Sequence, residues 1–429
     1  MSAGTVIVGA SQAGLQLAVS LRELGDDRPI TLVGDEAHAP YQRPPLSKAF
    51  LSGTPDVDSL AFRTPAYYAD VRIELVRGDR VTNLALSSTG PEGSGTATTS
   101  SGRTLEFDRL ALTVGARPRR LVLPGADLDG VCYLRDVDDA ARLRSCLTSA
   151  RHVVIVGGGF IGLEVAAAAR AQGKVVTVVE ATERLMARGV APIVSEAFRD
   201  AHVRRGSTVL TSAEVSAFSG CGGRVTSVHL ADGTQLPADL VLVGVGILPR
   251  TELAEQIGLE CDHGIVVDSY ARTSKPSIVA AGDCTVLPHP LTGLGRVRLE
   301  SVQNAVAQAR VAAATLVGTL ESAPTVPWFW SDQGDLKLQI AGLAAGYDDY
   351  VVRGEPDSER YSVLYYRSGR LIAIDAINRP GDYLAVRKAL TIGATIPADK
   401  AANDDVALKT LIVAAASEAG PSATASEAS

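Results

Sequence analysis

Apolar and polar positions along this chain follow two rhythms. The first is the short, unbroken apolar run stopped by glycine or an acid. Thr5-Val6-Ile7-Val8-Gly9, Ile30-Thr31-Leu32-Val33-Gly34, Val153-Val154-Ile155-Val156-Gly157, Val175-Val176-Thr177-Val178-Val179-Glu180 and Leu240-Val241-Leu242-Val243-Gly244 have this form. Such runs are too short for buried helices and predict buried strands. A helix is expected after the first run, over 15–24, and another opens after Gly157-Gly158-Gly159-Phe160-Ile161-Gly162. The run from Arg109 to Val114 ends in Gly115-Ala116-Arg117-Pro118, and that from Asp239 ends in Gly246-Ile247-Leu248-Pro249, so each looks like an exit from a unit. A further strand, Ser277-Ile278-Val279-Ala280-Ala281, ends in Gly282-Asp283-Cys284, and an alanine-rich helix opens after Leu299. The second rhythm is alternation. It begins only beyond Pro324-Thr325-Val326-Pro327, in Tyr361-Ser362-Val363-Leu364-Tyr365-Tyr366 and Leu371-Ile372-Ala373-Ile374, before a helix over about 381–392. That change predicts a separate α+β unit. Residues 88–102 are Ser/Thr/Gly-rich and read as a mobile hairpin tip. The stretch beyond Val413, rich in Ala, Ser and Glu, reads as a frayed tail.

The fold class expected is therefore α/β: two Rossmann-like dinucleotide-binding domains plus a C-terminal α+β domain. The boundaries expected are 1–114 with 247–324 for the first domain, 115–246 for the second, 325–412 for the third, and a disordered tail over 413–429. A chain of 429 residues has room for this, and 46% hydrophobic with 21% charged residues is globular composition. A formal net charge of −7 argues against a nucleic-acid partner. Five cysteines, at 132, 146, 221, 261 and 284, form no C-x-x-C or metal-ligand spacing, so no metal is expected and a reducing cytoplasm fits best. Neither a signal peptide nor a run long enough to span a bilayer is expected.

The chemistry lies in the glycines. Gly157-x-Gly159-x-x-Gly162 has the dinucleotide spacing: the first glycine permits the turn, the second lets backbone approach a pyrophosphate, and the third lets helix and strand pack closely. Glu180 lies 23 positions after Gly157 (180 − 157), the place for a carboxylate that accepts the ribose 2′-hydroxyl of NAD and repels the 2′-phosphate of NADP. Gly9-Ala10-Ser11-Gln12-Ala13-Gly14 repeats the pattern with Ser11 in the middle place, and Asp35-Glu36 ends its second strand. Two fingerprints imply two dinucleotides, and a flavin plus a nicotinamide is the natural pair. Pro44 and Pro45 fix an extended stretch after Arg43, and Ser47 is placed to begin a helix through Lys48 and Leu51.

Several segments are more specific. They are Arg43-Pro44-Pro45-Leu46-Ser47-Lys48, Gly159-Phe160-Ile161-Gly162-Leu163-Glu164, Ala281-Gly282-Asp283-Cys284, Arg298-Leu299-Glu300-Ser301-Val302 and Pro327-Trp328-Phe329-Trp330-Ser331. In these, and over nearly its whole length, the chain resembles the FAD-dependent NADH:ferredoxin reductases of bacterial oxygenase systems, the putidaredoxin, rhodocoxin and biphenyl-dioxygenase reductase type. The resemblance implies a glutathione-reductase-like fold. It implies hydride acceptance from NADH by FAD, and single-electron transfer to an iron–sulfur ferredoxin feeding a monooxygenase or dioxygenase. By resemblance Gly9, Ala13, Gly14 and Asp35 hold the FAD pyrophosphate and adenosine, Val81 and Arg135 touch its adenosine side, and Arg43 and Gly115 are further FAD-binding candidates. Asp283 bonds the ribityl chain, Val302 meets the flavin ring and Trp330 flanks it. Lys48 lies beside flavin N5 and pairs with Glu164, and these two are the catalytic candidates. Gly157, Gly159, Ile161, Gly162, Glu180, Arg188 and Gly246 are the NAD-binding candidates. Arg184 and Arg188 could offset part of Glu180's repulsion of NADPH. The chain departs from the pattern at Ser11, at Arg250, where asparagine is usual and nicotinamide-side contacts would change, and at Gly334, where a large or charged residue is common. Two other readings use the same fold. A flavin-dependent disulfide or peroxide reductase needs a reactive thiol at the flavin, and the stretch after Asp35 has none. A non-enzymatic NADH/FAD redox-sensing protein is the other. For an acidic ferredoxin, Arg310, Lys337, Arg387, Lys388 and Lys409 are candidate docking cations.

Overall fold

The glycine-stopped apolar runs form two parallel sheets of one design. The computed structural model describes residues 3–292, 295–320 and 325–415. In the first sheet Thr5–Val8 is central, between Ile30–Val33 and Arg109–Leu112, with Ile73–Val76 and Ile278–Ala280 outermost. Thr5 stands in register with Ile30 on one side and Arg109 on the other. In the second, His152–Val156 is central, between Val175–Val179 and Leu240–Val243, with Thr208–Leu210 and Val131–Cys132 outside. The central strands are buried almost throughout, which is why they read as continuous apolar runs.

One face of the first sheet is covered by Gln12–Glu23 and Val302–Leu316, whose Leu17, Leu21, Ala309 and Ala312 share a core with Ile7 and Leu32. Its other face meets a small antiparallel sheet of Val81–Leu86, Gly95–Thr99 and Thr104–Phe107 through Leu84, Ala97, Leu105 and Phe107. The expected hairpin tip over 88–102 is thus corrected. Gly95–Thr99 is the middle strand, with Ala97 and Thr99 buried, and the turns are the connections on either side of it. The two exits pair with each other, Ala116–Pro118 running antiparallel to Ile247–Pro249.

The chain divides into two compact units, Met1–Lys337 and Leu338–Ser429. That division falls later than the expected 325, because Ser331 and Gln333 of the strand Trp328–Gln333 are buried against side chains of the first unit. The expected boundary at 324 lies outside the described residues. In the second unit Asp349–Glu355, Arg360–Arg367 and Arg370–Ile377 form antiparallel ladders. The run Tyr361–Tyr366 was expected to alternate but is buried along its length. Helix Pro380–Thr391 covers one side of it, with Ser362 Oγ donating to Asp382 at 3.0 Å. Val413–Ala414, expected in the tail, pairs with Ala394–Thr395, while 416–429 lie outside the described residues. No helix among the described residues is long and apolar enough to cross a membrane.

Candidate active site

Each fingerprint turn is built by close backbone packing. Gly9 has φ +115°, and a Cβ there would run into the Thr113 carbonyl; one on Gly14 would meet the Gly9 carbonyl. In the second turn Gly157 has φ +107° and abuts Gly244, and Gly162 abuts the Gly157 carbonyl. Gly159 differs. A Cβ there would meet nothing within 4 Å, so the backbone fronts open space. Helices Gln12–Glu23 and Phe160–Ala171 begin with no side-chain cap, whereas Val137–Ser149 and Val302–Leu316 are capped by Asp136 and Ser301. Uncapped first-turn N–H groups behind a glycine turn are what a pyrophosphate needs, so both turns fit a dinucleotide. Ile161, in the first helical turn, is 44% exposed, an apolar side chain for a ligand to cover.

Glu180 ends its strand facing this turn. Its Oε2 accepts from Gly158 N at 2.7 Å, and its Oε1 accepts from Thr182 N at 2.8 Å and Thr182 Oγ1 at 2.7 Å. The carboxylate is therefore held in one orientation. The Arg184 guanidinium donates to the Val190 and Ala187 carbonyls and Ser195 Oγ. Arg188 is exposed, with Nη2 3.4 Å from the Cβ position of Gly246. Arg188 and Arg119 line a cavity of about 360 Å³ walled by Val245 to Pro249. The first unit's exit has the same design, for Arg135 Nη2 lies 3.4 Å from the Cβ position of Gly115. Arg135 donates to Asp283 Oδ2 at 2.9 Å, and its carbonyl accepts from Arg43 Nη1 at 2.7 Å. Arg43 also donates Nε to Ser11 Oγ at 3.1 Å and pairs with Glu36. The serine in the fingerprint's middle place is thereby used. Arg250, one of the departures from the family pattern, lies 3.5 Å from Asp35. Ala13 is buried at the first turn, Val81 lies in the core beneath, and Val302 opens its helix.

Lys48 and Glu164 are brought together. Lys48 does not lie in the helix expected to start at Ser47. It sits between two 3-10 turns, Pro44–Ser47 and Ala49–Ser52, with φ −125° and ψ −112°. The prolines set the first turn, and the break at Lys48 turns its side chain toward helix Phe160–Ala171. Lys48 Nζ lies 2.7 Å from Glu164 Oε2, with side-chain exposures of 22% and 4%. Ser47 Oγ donates to the same oxygen at 2.5 Å, and Ser331 Oγ donates to Oε1 at 2.7 Å. Next to Ser331 in the chain, the Trp330 ring packs tilted against Trp328 at 5.6 Å, and Phe329 packs tilted against Phe160 at 4.7 Å.

Residues 4–309 match the family described as pyridine nucleotide-disulphide oxidoreductase, and residues 328–412 match the reductase C-terminal family. The chain belongs to the pyridine nucleotide-disulphide oxidoreductase family. Within that family it groups with the ferredoxin reductases. It is 46% identical to rhodocoxin reductase of Rhodococcus erythropolis over 407 residues, 95% of this chain and 94% of that one. The ferredoxin reductase for the CYP199A2 system of Rhodopseudomonas palustris superposes with a TM-score of 0.90 at 43% identity, covering 95% of this chain and 99% of that one. A covalent putidaredoxin reductase–putidaredoxin complex gives 0.90 at 38% identity, covering 95% and 97%.

All five cysteines are free of disulfides; the one pair of neighbouring thiols this chain shows among them, Cys132 and Cys146, lies on the strand Val131–Cys132 and the helix Val137–Ser149 rather than beside Lys48 and Glu164. Cys284, next to Asp283, is fully buried, and burial pushes its thiol up to about 12, so it is inert rather than nucleophilic. No group of His, Cys, Asp and Glu among the described residues could hold a metal. Three polar residues at this site carried no role in the sequence: Ser331, Gln333 and His202. Ser331 and Gln333 are fully buried two positions apart, and Gln333 Oε1 lies 2.8 Å from His202 Nε2. Two polar residues on one face of an aromatic strand were the available signal for the first pair; nothing in the sequence marks His202.

Proposed function

We propose that this reductase oxidises NADH through bound FAD and passes single electrons to a small iron–sulfur ferredoxin serving a monooxygenase or dioxygenase. Residues 1–114 and 247–324 hold the flavin, 115–246 hold NADH, and 325–412 form the cap. The observation that carries this is the Lys48–Glu164 pair, which joins the loop after one fingerprint unit to the fingerprint helix of the other. Bound flavin supplies the exchange between a two-electron donor and one-electron acceptors. The chain's part is electrostatic and positional. Lys48 is the cation that favours added negative charge at the flavin ring, and Glu164 holds that ammonium while its serine partners fix the carboxylate. Gly9, Gly14 and the uncapped helix start hold one pyrophosphate, and Gly157, Gly159 and Gly162 the other. Free thiols throughout fit a reducing cytoplasm.

Steady-state NADH oxidation with and without a small [2Fe–2S] ferredoxin tests this. Ferredoxin-dependent turnover should be rapid and fall steeply with salt, because exposed charges are screened beyond about 8–10 Å near physiological ionic strength. Turnover with an uncharged artificial acceptor should fall much less. Arg310, Lys337, Lys388 and Lys409 are exposed, as docking requires. A purified, folded protein that takes up no FAD, or whose NADH oxidation ignores ferredoxin, would sink the reading.

NADH should also be preferred over NADPH, since Glu180 is locked in place and the Arg184 donors are engaged by Val190, Ala187 and Ser195. Glu180→Ala should narrow the preference by about 1–3 kcal/mol, the worth of a charge-assisted hydrogen bond. Equal kcat/KM for both nucleotides in the unmutated protein would defeat this claim.

A further inference from the structure

The polar groups behind Glu164 form a chain with a fixed direction. Glu164 Oε1 can only accept in its ion pair, so Ser331 Oγ, 2.7 Å away, spends its one proton there. Ser331 Oγ must then accept from Gln333, which places the amide nitrogen at 3.3 Å from it. That same nitrogen lies 3.7 Å from Met186 Sδ, a weak acceptor. The Gln333 carbonyl oxygen is left facing His202, and it needs a donor, so His202 carries its proton on Nε2, 2.8 Å away. His202 is 2% exposed, and burial pushes its imidazole below the ordinary value, which keeps it neutral near pH 7. The sequence of donors runs His202, Gln333, Ser331, Glu164. Ser331 and Gln333 are fully buried, so water cannot replace a lost member at no cost.

The chain also ties elements together. His202 lies in helix Pro192–Arg204 of the nicotinamide unit, and just beyond it Arg205 holds Asp335 through two bonds of 2.9 Å. The aromatic strand Trp328–Gln333, with Trp330, is therefore fastened to the nicotinamide unit at Glu164, at His202 and at Arg205. Resting on the proposed role of Lys48 and Glu164 at the flavin, we infer that Gln333 and His202 are positioning residues for hydride transfer. They hold the Ser331 oxygen where its proton reaches Glu164, which steadies the carboxylate and through it Lys48.

The test combines a spectroscopic and a kinetic reading on the FAD-bound enzyme. In 15N-histidine-labelled protein the His202 ring, identified by its loss in His202→Gln, should show the neutral Nε2–H tautomer, and Gln333→Leu should abolish that single state. Stopped-flow reduction by NADH should slow about tenfold in Gln333→Leu, the size of one buried charge-assisted link. His202→Phe keeps the ring shape without the donor and should slow about threefold to tenfold, with the NADH dissociation constant moving less than about twofold. His202→Gln keeps an N–H near Nε2 and should restore the rate to within about twofold. An Nδ1–H tautomer, unchanged rates in both Gln333→Leu and His202→Phe, or an equal loss in His202→Gln would each overturn the inference. Glu164→Gln, run in parallel, separates the two claims. If it too is unaffected, the role of Glu164 fails; if it is slowed while Gln333→Leu is not, only the chain fails.

Discussion

Glu164→Ala is expected to slow flavin reduction by NADH about 30- to 150-fold, equivalent to about 2–3 kcal/mol of barrier, while the protein still binds FAD. The physical reason is the number of donors left without an acceptor. Lys48 Nζ, Ser47 Oγ and Ser331 Oγ all converge on this carboxylate, whose side chain is 4% exposed. Breaking a buried pair by removing one partner costs about 3–5 kcal/mol, and only part of that falls on the reaction. Lys48→Ala should cost less, about tenfold in rate, because Glu164 keeps its two serine donors and solvent reaches the lysine's place. The double variant should lose less than the sum, since the second deletion removes a group already stranded. Stopped-flow reduction of all three at saturating NADH decides the matter. Additive losses, or a Glu164→Ala rate within about twofold of the parent, would show that the pair is only structural.

The parts of this site legible in the sequence are those built from local spacing. The two turns, their strands and Glu180 follow from glycine positions and apolar runs, because backbone geometry there is dictated within about twenty residues. The Lys48–Glu164 pair spans 116 positions and was reachable only through the resemblance. Ser331 and Gln333 were opaque for a different reason. Polar residues at alternate places in a strand read as its solvent face, whereas here they are the buried face, because their partners are a carboxylate and an imidazole rather than water. Gly95–Thr99 failed on composition: a Ser/Thr/Gly-rich stretch reads as a loop until ladders on both sides pair its backbone. The contact of Arg250 with Asp35 was equally out of reach, because spacing places a residue along the chain but not the acid it faces.

The same reversal of polarity occurs in the C-terminal unit, where Arg353 is 2% exposed in a strand whose pattern would put a charge in solvent. Its guanidinium donates to the carbonyls of Ala401 at 3.0 Å, Val406 at 2.8 Å and Asn403, and lies 3.4 Å from Asp382 and 3.3 Å from Asp404. One planar fork thus gathers the loop over 401–406. Arg353→Met keeps the stem's volume but strands those carbonyls, while both acids keep Arg379, and should destabilise the unit by about 2–4 kcal/mol. Arg353→Lys should recover little of this, since a single ammonium cannot serve three divergent carbonyls. The acid limb carries a further sign. The hydrogen bond from Arg379 holds Asp404 below the usual carboxylate range. The stabilisation from Asp404 is therefore complete above the ordinary aspartate value of about 4 and is lost as pH falls through the lowered one. Urea unfolding followed at pH 7 and pH 3, with limited proteolysis to locate the first cleavage, measures both effects. The expected result is a lower midpoint at pH 7 in Arg353→Met, a further drop at pH 3 close to the parent's because Arg379 still holds Asp404, and early cleavage near 401–406. A midpoint matching the parent's at pH 7 would mean that the loop is held by its apolar neighbours instead.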